Sequence, residues 1–526
     1  MKQQLLKCMA LLLALCTMVM LVAGCGGTKD VDDPANKATT STTNNATTPS
    51  DDEETTTQAE DNKTKDDQSQ TKTTATTKPQ GGAAGTNMDL KGATIKVAGM
   101  STSYFGLDKN KSAWNKRIRE ELAAVEKSLN CKFKLTTYDS AALTEQCIKA
   151  DKAGSKFSDV MVTTLWQQKS LMMAKALTNL NDVKGMDLTK PYWDQAARKE
   201  MELYGKNFIG FTTLDGTAAN ANVVYFNKVL AKSALEKLGQ KVASPKAAGD
   251  ILYKMVDDGK WTFDQMQKIS QKAAADLTGD GKMDDRTAKD QYGFAGVDIR
   301  GGVSYSIFKA KGGYFTKKSS NGDVTYALDD AINITALKTM QTWLLKDTSV
   351  YNADKYGNNH QISADAFAAG RVLFLGWSAD AATNFTEMKQ DWGILPYPKA
   401  DTRSNYVGVI SWNTQGFSIP RKVKGQDLVN AAAVLDGIAR QFHEIREEKD
   451  TYLVKRVYRD KETQRMLELA ESTASIDFVQ FGDLGSGGLS SIHFLFDKVS
   501  NDPAQRVKSV RDEAVSALNA FLKAVK

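Results

Sequence analysis

The residues with the most chemical potential in this chain of 526 amino acids lie in Asp276, Leu277, Thr278, Gly279, Asp280, Gly281, Lys282, Met283 and Asp284. Asp276, Thr278, Asp280, Lys282 and Asp284 fall at positions one, three, five, seven and nine of a calcium loop, and Gly281 falls at the sharp turn of position six. Position twelve is Thr287, where a bidentate carboxylate is expected, so the oxygen set is incomplete unless Asp285 or Asp290 folds in. A structural calcium and a solvated acidic turn are both open; no other cofactor is expected. Catalytic chemistry finds less support. His360, His443 and His493 are far apart, and His443 opens H-E-I-R-E, which lacks the second His of a zinc-protease helix. Gly485 to Gly488 (GSGG) is followed by no phosphate-loop lysine. The many carboxylates show no spacing that singles out a glycosidase pair. Cys131 and Cys147 are expected to be small buried hydrophobes with free thiols, a disulfide between them being the alternative.

The elements that position these residues read as mixed α and β. Ala93 to Ala98 (ATIKVA) is strand-like, and Ile118, Leu122, Val125 and Leu129 then recur at one-face helical spacing. Lys132 to Thr137 alternates like a strand, residues 141 to 152 read as helix, and Asp159 to Thr163 is a short β-rich run. Strands alternating with helices imply a parallel sheet with helical crossovers, whose ligands sit beyond the carboxyl ends of the strands. That places the loops at 99–105 and 164–168 near a ligand. The net charge of +6 is distributed over solvated helix faces, and no nucleic-acid partner is expected.

The N-terminal region has a different character. Lys2 and Lys7 precede an almost wholly apolar run, residues 8 to 23, which is shorter than the ~20 residues that cross a bilayer. Leu21 to Cys25 (L-V-A-G-C) resembles the lipobox of bacterial lipoproteins, in which residues 1–24 are removed and Cys25 carries the lipid. Residues 25–90 are rich in Thr, Asp, Asn and Lys, and from Gly26 to Met88 there is no aromatic residue. Such a composition cannot offset its ordering entropy, so it reads as a disordered tether with a reach on the order of 45 Å.

From residue 91 onward the chain resembles the extracellular solute-binding proteins of ABC importers, in their sugar-binding branch. The likeness lies in ordered motifs: Ala176–Leu180 with Pro191, Tyr192 and Trp193; Tyr204–Lys206 with Val223–Lys228; Trp261–Phe263; Phe367–Arg371; Leu375–Trp377; Trp392–Pro396; and Ser411–Pro420. The resemblance implies two α/β lobes with a ligand cleft between them: 91–219 plus 409–450 as lobe 1, 220–408 plus 451–526 as lobe 2, the final helices packing on the second. It implies a small solute, of sugar class, delivered to permease subunits by a protein held through its lipid at the outer face of the cell membrane; a membrane sensor is an alternative recipient, and a lipid-anchored glycoside hydrolase an alternative function. A sugar's apolar faces and hydroxyl rim call for exposed aromatic rings beside amide, carboxylate or Arg groups. The candidates are Trp377, which matches a sugar-stacking position of the family; Trp412 and Asn413 after a crossover strand; Trp166 and Gln167 after the third strand; Asn220 at a hinge position; and Tyr104, Asp298, Arg300 and Tyr305. Trp114, Trp193, Trp261, Trp343 and Trp392 are expected to pack within the lobes or on their surface.

Overall fold

The computed structural model describes residues 88–526 apart from 101–104, 106–112, 217–219, 284–286, 321, 354–360, 411–413, 476–491 and 499. The lipobox, the tether as far as residue 87, Tyr104, Trp412, Asn413 and Asp284 therefore lie outside the described residues, whereas Leu90, placed in the tether by the sequence, is buried in the core of the first lobe and donates its N–H to the Leu129 carbonyl at 2.8 Å.

The first lobe follows the alternation read from the sequence: β1 (Ala93–Gly99), α1 (Ala113–Ser128), β2 (Cys131–Thr137), α2 (Ser140–Lys152), β3 (Val160–Thr164), α3 (Leu165–Met173) and α4 (Gln195–Met201). β1 pairs in parallel with β2 and β3. All five residues of β3 are buried, as expected for a strand covered on both faces. α1 buries Ile118, Leu122 and Val125, the face predicted by their spacing.

The chain then builds a second sheet. β4 (Asn222–Asn227) leads into α5 (Lys228–Lys237), α6 (Pro245–Asp257) and α7 (Phe263–Ala273). Their starts are legible in sequence, because Asn227, Ser244 and Thr262 each accept a backbone N–H of the first turn, and Pro245 opens α6 where no N–H is needed. There follow β5 (Tyr292–Gly296), α8 (Ser304–Ala310), the hairpin β6 (Thr316–Lys318) and β7 (Val324–Tyr326), α9 (Ala331–Lys346), β8 (Val350–Tyr351), α10 (Gln361–Ala368), β9 (Val372–Ser378) and β10 (Trp392–Leu395). The sheet runs β10-β4-β9-β5-β8, antiparallel at β10–β4 and β4–β9 and parallel from β9 to β8. Trp261, Trp343 and Trp392 are fully buried here, as expected of packing tryptophans.

The chain returns through β11 (Gly408–Val409) and β12 (Gln415–Ser418), which joins β3 antiparallel and completes the first sheet. α11 (Gly425–Arg456) follows, with α12 (Lys461–Ser472), β13 (Ala474–Ser475) and α13 (Pro503–Val525). α11 serves both lobes. Its residues through Ile445 belong to the core of the first lobe, whereas Leu453 and Val457 belong to a core cluster of the second. At the crossing, nearly buried Arg446 bonds Asp450 at 2.7 Å and Glu471 of α12 at 3.1 Å. α13 departs from the expectation that it rests on the second lobe: it packs against α9 and β7 there, but also against α3 of the first lobe. Lys206 reinforces that bridge by donating to the Val525 and Lys526 carbonyls at 2.9 and 2.8 Å. No described helix is long and apolar enough to cross a membrane.

Cys131 and Cys147 are free thiols, buried in different core clusters. Burial pushes their pKa values up to about 11 and about 12, so neither is a ready thiolate at neutral pH.

Candidate functional site

Two chain segments run side by side where the chain passes between the two sheets. Gly210 and Phe417 exchange backbone hydrogen bonds at 2.9 and 2.8 Å, and Ala221 bridges Ile410. The first segment turns tightly at Gly216, where a Cβ would collide with the Asp194 carboxylate and the Thr212 carbonyl. Asp194 is itself engaged as the N-cap of α4.

Past the turn, Asn220 donates through Nδ2 to the Asp215 carbonyl at 3.0 Å, to Asp215 Oδ1 at 3.2 Å and to the Gly216 carbonyl at 3.2 Å. The antiparallel register of β4 with β9 pairs Asn222 with Ser378, and Ala379 N–H bonds the Ala221 carbonyl at 2.9 Å. Asp380 follows in the 3₁₀ turn Ala379–Phe385, and its charge acts on Asp215. Asp380 accepts the Ser378 hydroxyl at 2.6 Å. Asp215 is partly exposed as a residue, while protein surrounds its carboxyl group. That enclosure pushes its pKa up to about 7; the Asn220 hydrogen bond opposes the shift, Asp380 adds to it, and Lys449 of α11 opposes it.

Trp377 lies at the end of β9 opposite Val223, one residue before Ser378. It is partly exposed, with its ring against Phe385 at 6.1 Å between centroids in an edge-on arrangement. Tyr225 fixes the chain just beyond it by donating to the carbonyls of Ser378 and Ala379 at 2.8 and 3.0 Å. An aromatic face, an amide, a hydroxyl and two carboxylates thus share one end of the second sheet.

The other sequence candidates divide. Trp166 lies partly exposed in the first turn of α3, beyond the carboxyl end of β3. Its neighbour Gln167 is only 1% exposed; it accepts Thr164 N–H at 3.0 Å and donates to the Ser140 carbonyl at 2.9 Å, so its amide fastens α3 to α2. Asp298 has a left-handed φ of 62°, and its carboxylate accepts the Gly301 and Gly302 N–H groups, folding the turn ahead of α8. Arg300 sits within that turn, its side chain outside the described residues. Tyr305 is nearly buried and stacks on Phe315 at 5.5 Å with planes 4° apart, a packing role. Sequence reasoning missed Asp215, Ser378, Asp380 and Lys449. Asp380 follows directly after β9, in the turn beyond Trp377, but nothing local to Lys449 marks its influence on Asp215.

The acidic loop is folded around Asp276. Its carboxylate accepts Thr278 Oγ1 at 3.1 Å, Gly279 N–H at 2.6 Å and Gly281 N–H at 2.8 Å, which holds it below the usual carboxylate range. Asp280 accepts Lys282 N–H at 2.9 Å, and buried Asp290 accepts Leu277 and Thr278 N–H. Among the described residues no group of three or more His, Cys, Asp or Glu side chains converges as a metal site. A carboxylate offers about four lone-pair positions, so Asp276 retains capacity for a further ligand bond.

Residues 108–440 match the bacterial extracellular solute-binding protein family. Solved structures with the same fold include the maltose/maltodextrin-binding domain MalE from Bdellovibrio bacteriovorus bound to maltotriose, at 14% identity and a TM-score of 0.52, covering 81% of this chain and 100% of that one. UspC of M. tuberculosis aligns with a TM-score of 0.54 at 14% identity, again over 81% of this chain and 100% of that one. The Thermus thermophilus maltotriose-binding protein bound with maltotriose gives 0.50 at 14% identity with the same coverage. No curated protein sequence matches the chain.

Proposed function

Since the chain belongs to the bacterial extracellular solute-binding protein family, we propose that it is a lipid-anchored receptor that captures a sugar or oligosaccharide in its interlobe cleft and delivers it to an ABC importer. Members of this family bind solutes and do not transform them, so the pairing of Asp215 with Asp380 serves recognition and not hydrolysis. The observation that carries the sugar reading is a partly exposed Trp377 at the end of β9, where the chain runs on into Ser378 and Asp380. A ring face takes the C–H surface of a sugar, and the neighbouring acceptors and donors take its hydroxyls. The B. bacteriovorus and T. thermophilus proteins of like fold, each solved with maltotriose, support the same ligand class. The L-V-A-G-C motif supports anchoring through Cys25, with residues 25–90 as the spacer.

A thermal-shift screen against mono- and oligosaccharides tests the reading, because a ligand at 100 times its Kd adds about 2.7 kcal/mol to the folded state. The expected result is a rise in Tm for at least one saccharide, and a screen without any rise overturns the sugar class. With that saccharide, Trp377→Ala should weaken binding by ~2–4 kcal/mol in calorimetric titration. Trp343, fully buried between Phe263 and Phe294, provides the contrast. Trp343→Ala should lose ~3–5 kcal/mol of stability and spare affinity. Unchanged affinity in Trp377→Ala removes that residue from the site.

A further inference from the structure

We propose that Trp114 and Tyr452 form an aromatic subsite on the cleft rim, which receives a sugar ring beyond the one at Trp377 and so selects oligosaccharides over disaccharides. The proposal rests on the sugar reading above and adds the length of the ligand to it.

Helices α1 and α11 pack antiparallel. Val125 lies against Gly437, where an added Cβ would come within 3.2 Å of it. Further along, Arg117 grips Glu448 with two hydrogen bonds, at 3.0 and 2.9 Å. At the end of the contact the rings of Trp114 and Tyr452 meet at 5.8 Å between centroids and 75° between planes.

Three observations place this pair on the rim. Trp114 is the second residue of α1, the first helix after the carboxyl end of β1, and that edge of a parallel sheet faces ligand. Tyr452 lies where α11 leaves the first lobe, between Ile445 in one core and Leu453 in the core against which Trp377 packs. Lys449, one turn before Tyr452 and on the same side of the helix, acts electrostatically on Asp215. Tyr452 therefore lies on the same stretch of α11 as Lys449, whose charge acts on Asp215.

Exposure argues against a purely structural role. Tyr452 is 43% exposed and Trp114 partly exposed, so the edge-on pair presents ring surface to solvent. The charged pair beside it, Arg117 with Glu448, supplies hydrogen-bonding groups for hydroxyls around a stacked sugar ring. Aromatic faces flanked by charge suit a saccharide better than an apolar helix, which would leave those charges desolvated.

The test is calorimetric titration of the full chain with malto-, cello- and xylo-oligosaccharides of two to seven units. In the series that binds, the tetrasaccharide should bind about tenfold tighter than the disaccharide, the scale of one aromatic contact. Trp114→Ala and Tyr452→Ala should each shrink that ratio to about twofold, and Tyr452→Phe, which keeps the ring, should retain it. Truncating an exposed Tyr removes little buried surface, and a melting curve matching wild type verifies folding. A ratio that survives both alanine substitutions overturns the subsite, as does a wild type that binds all lengths alike; in either case the cleft reading stands. A wild type that binds no member of any series overturns the sugar reading and the rim together.

Discussion

Asp215 is a side chain whose titration its surroundings alter strongly. An unfolded Asp titrates near ~3.9, whereas in the folded chain enclosure and the Asp380 charge place Asp215 at about 7. Between those values the folded state holds a proton that the unfolded state has released. Stability therefore falls as pH rises from about 4 to about 7, and the penalty is fully present above that range. Asp215→Asn keeps an oxygen to accept the Asn220 amide and carries no charge. The variant should melt above wild type at pH 8 and match it near pH 4. A gap of equal size at both pH values would show that the carboxyl is not the titrating group. Residue types alone did not reveal this: Asp215 precedes Gly216 in what reads as an ordinary polar turn, and Gln167, an attractive ligand group by sequence, is consumed by a helix cap.

At the scale of elements, several helix starts are fixed by residues next to them, because caps are local. Ser244–Pro245 and Asp502–Pro503 each satisfy backbone donors within a few residues, and α6 and α13 begin there. The acidic loop is local too, since Asp276 closes its own turn through Thr278, Gly279 and Gly281. Asp276→Ala should cost about 1–2 kcal/mol in urea unfolding through loss of those bonds. Calcium held by Asp276, Thr278 and Asp280 is a proposal for the same loop. It requires a melting temperature that rises with millimolar calcium, falls back with chelator, and no longer responds in Asp280→Ala. Superimposable curves with and without chelator would leave the turn held by its hydrogen bonds alone. α11 was not legible in its role: its apolar positions show that it is buried, but not that its two halves enter different cores.

For the whole molecule, the anchor is the property that the resemblance of Leu21–Cys25 to a lipobox implies. Loss of the Cys25 thiol removes the only lipid acceptor in the L-V-A-G-C motif, so Cys25→Ala should appear in the medium or remain uncleaved, unlabelled by a fatty-acid analogue. Continued labelling of the variant would discard the lipobox. The order of strands and helices in the first lobe, the burial of Trp261, Trp343 and Trp392, and the α/β class were determined by the sequence itself. Periodicity and capping act over a few residues, and a fully apolar strand or a large ring amid apolar neighbours has few places to go but inside. Only the tertiary structure decided which distant groups meet: Asp215 with Asp380 and Lys449, Trp114 with Tyr452, and α13 with both lobes. Each of those meetings depends on where the chain crosses between two sheets, and such crossings are set by the packing of whole elements, which leaves no periodic mark on the residues brought together.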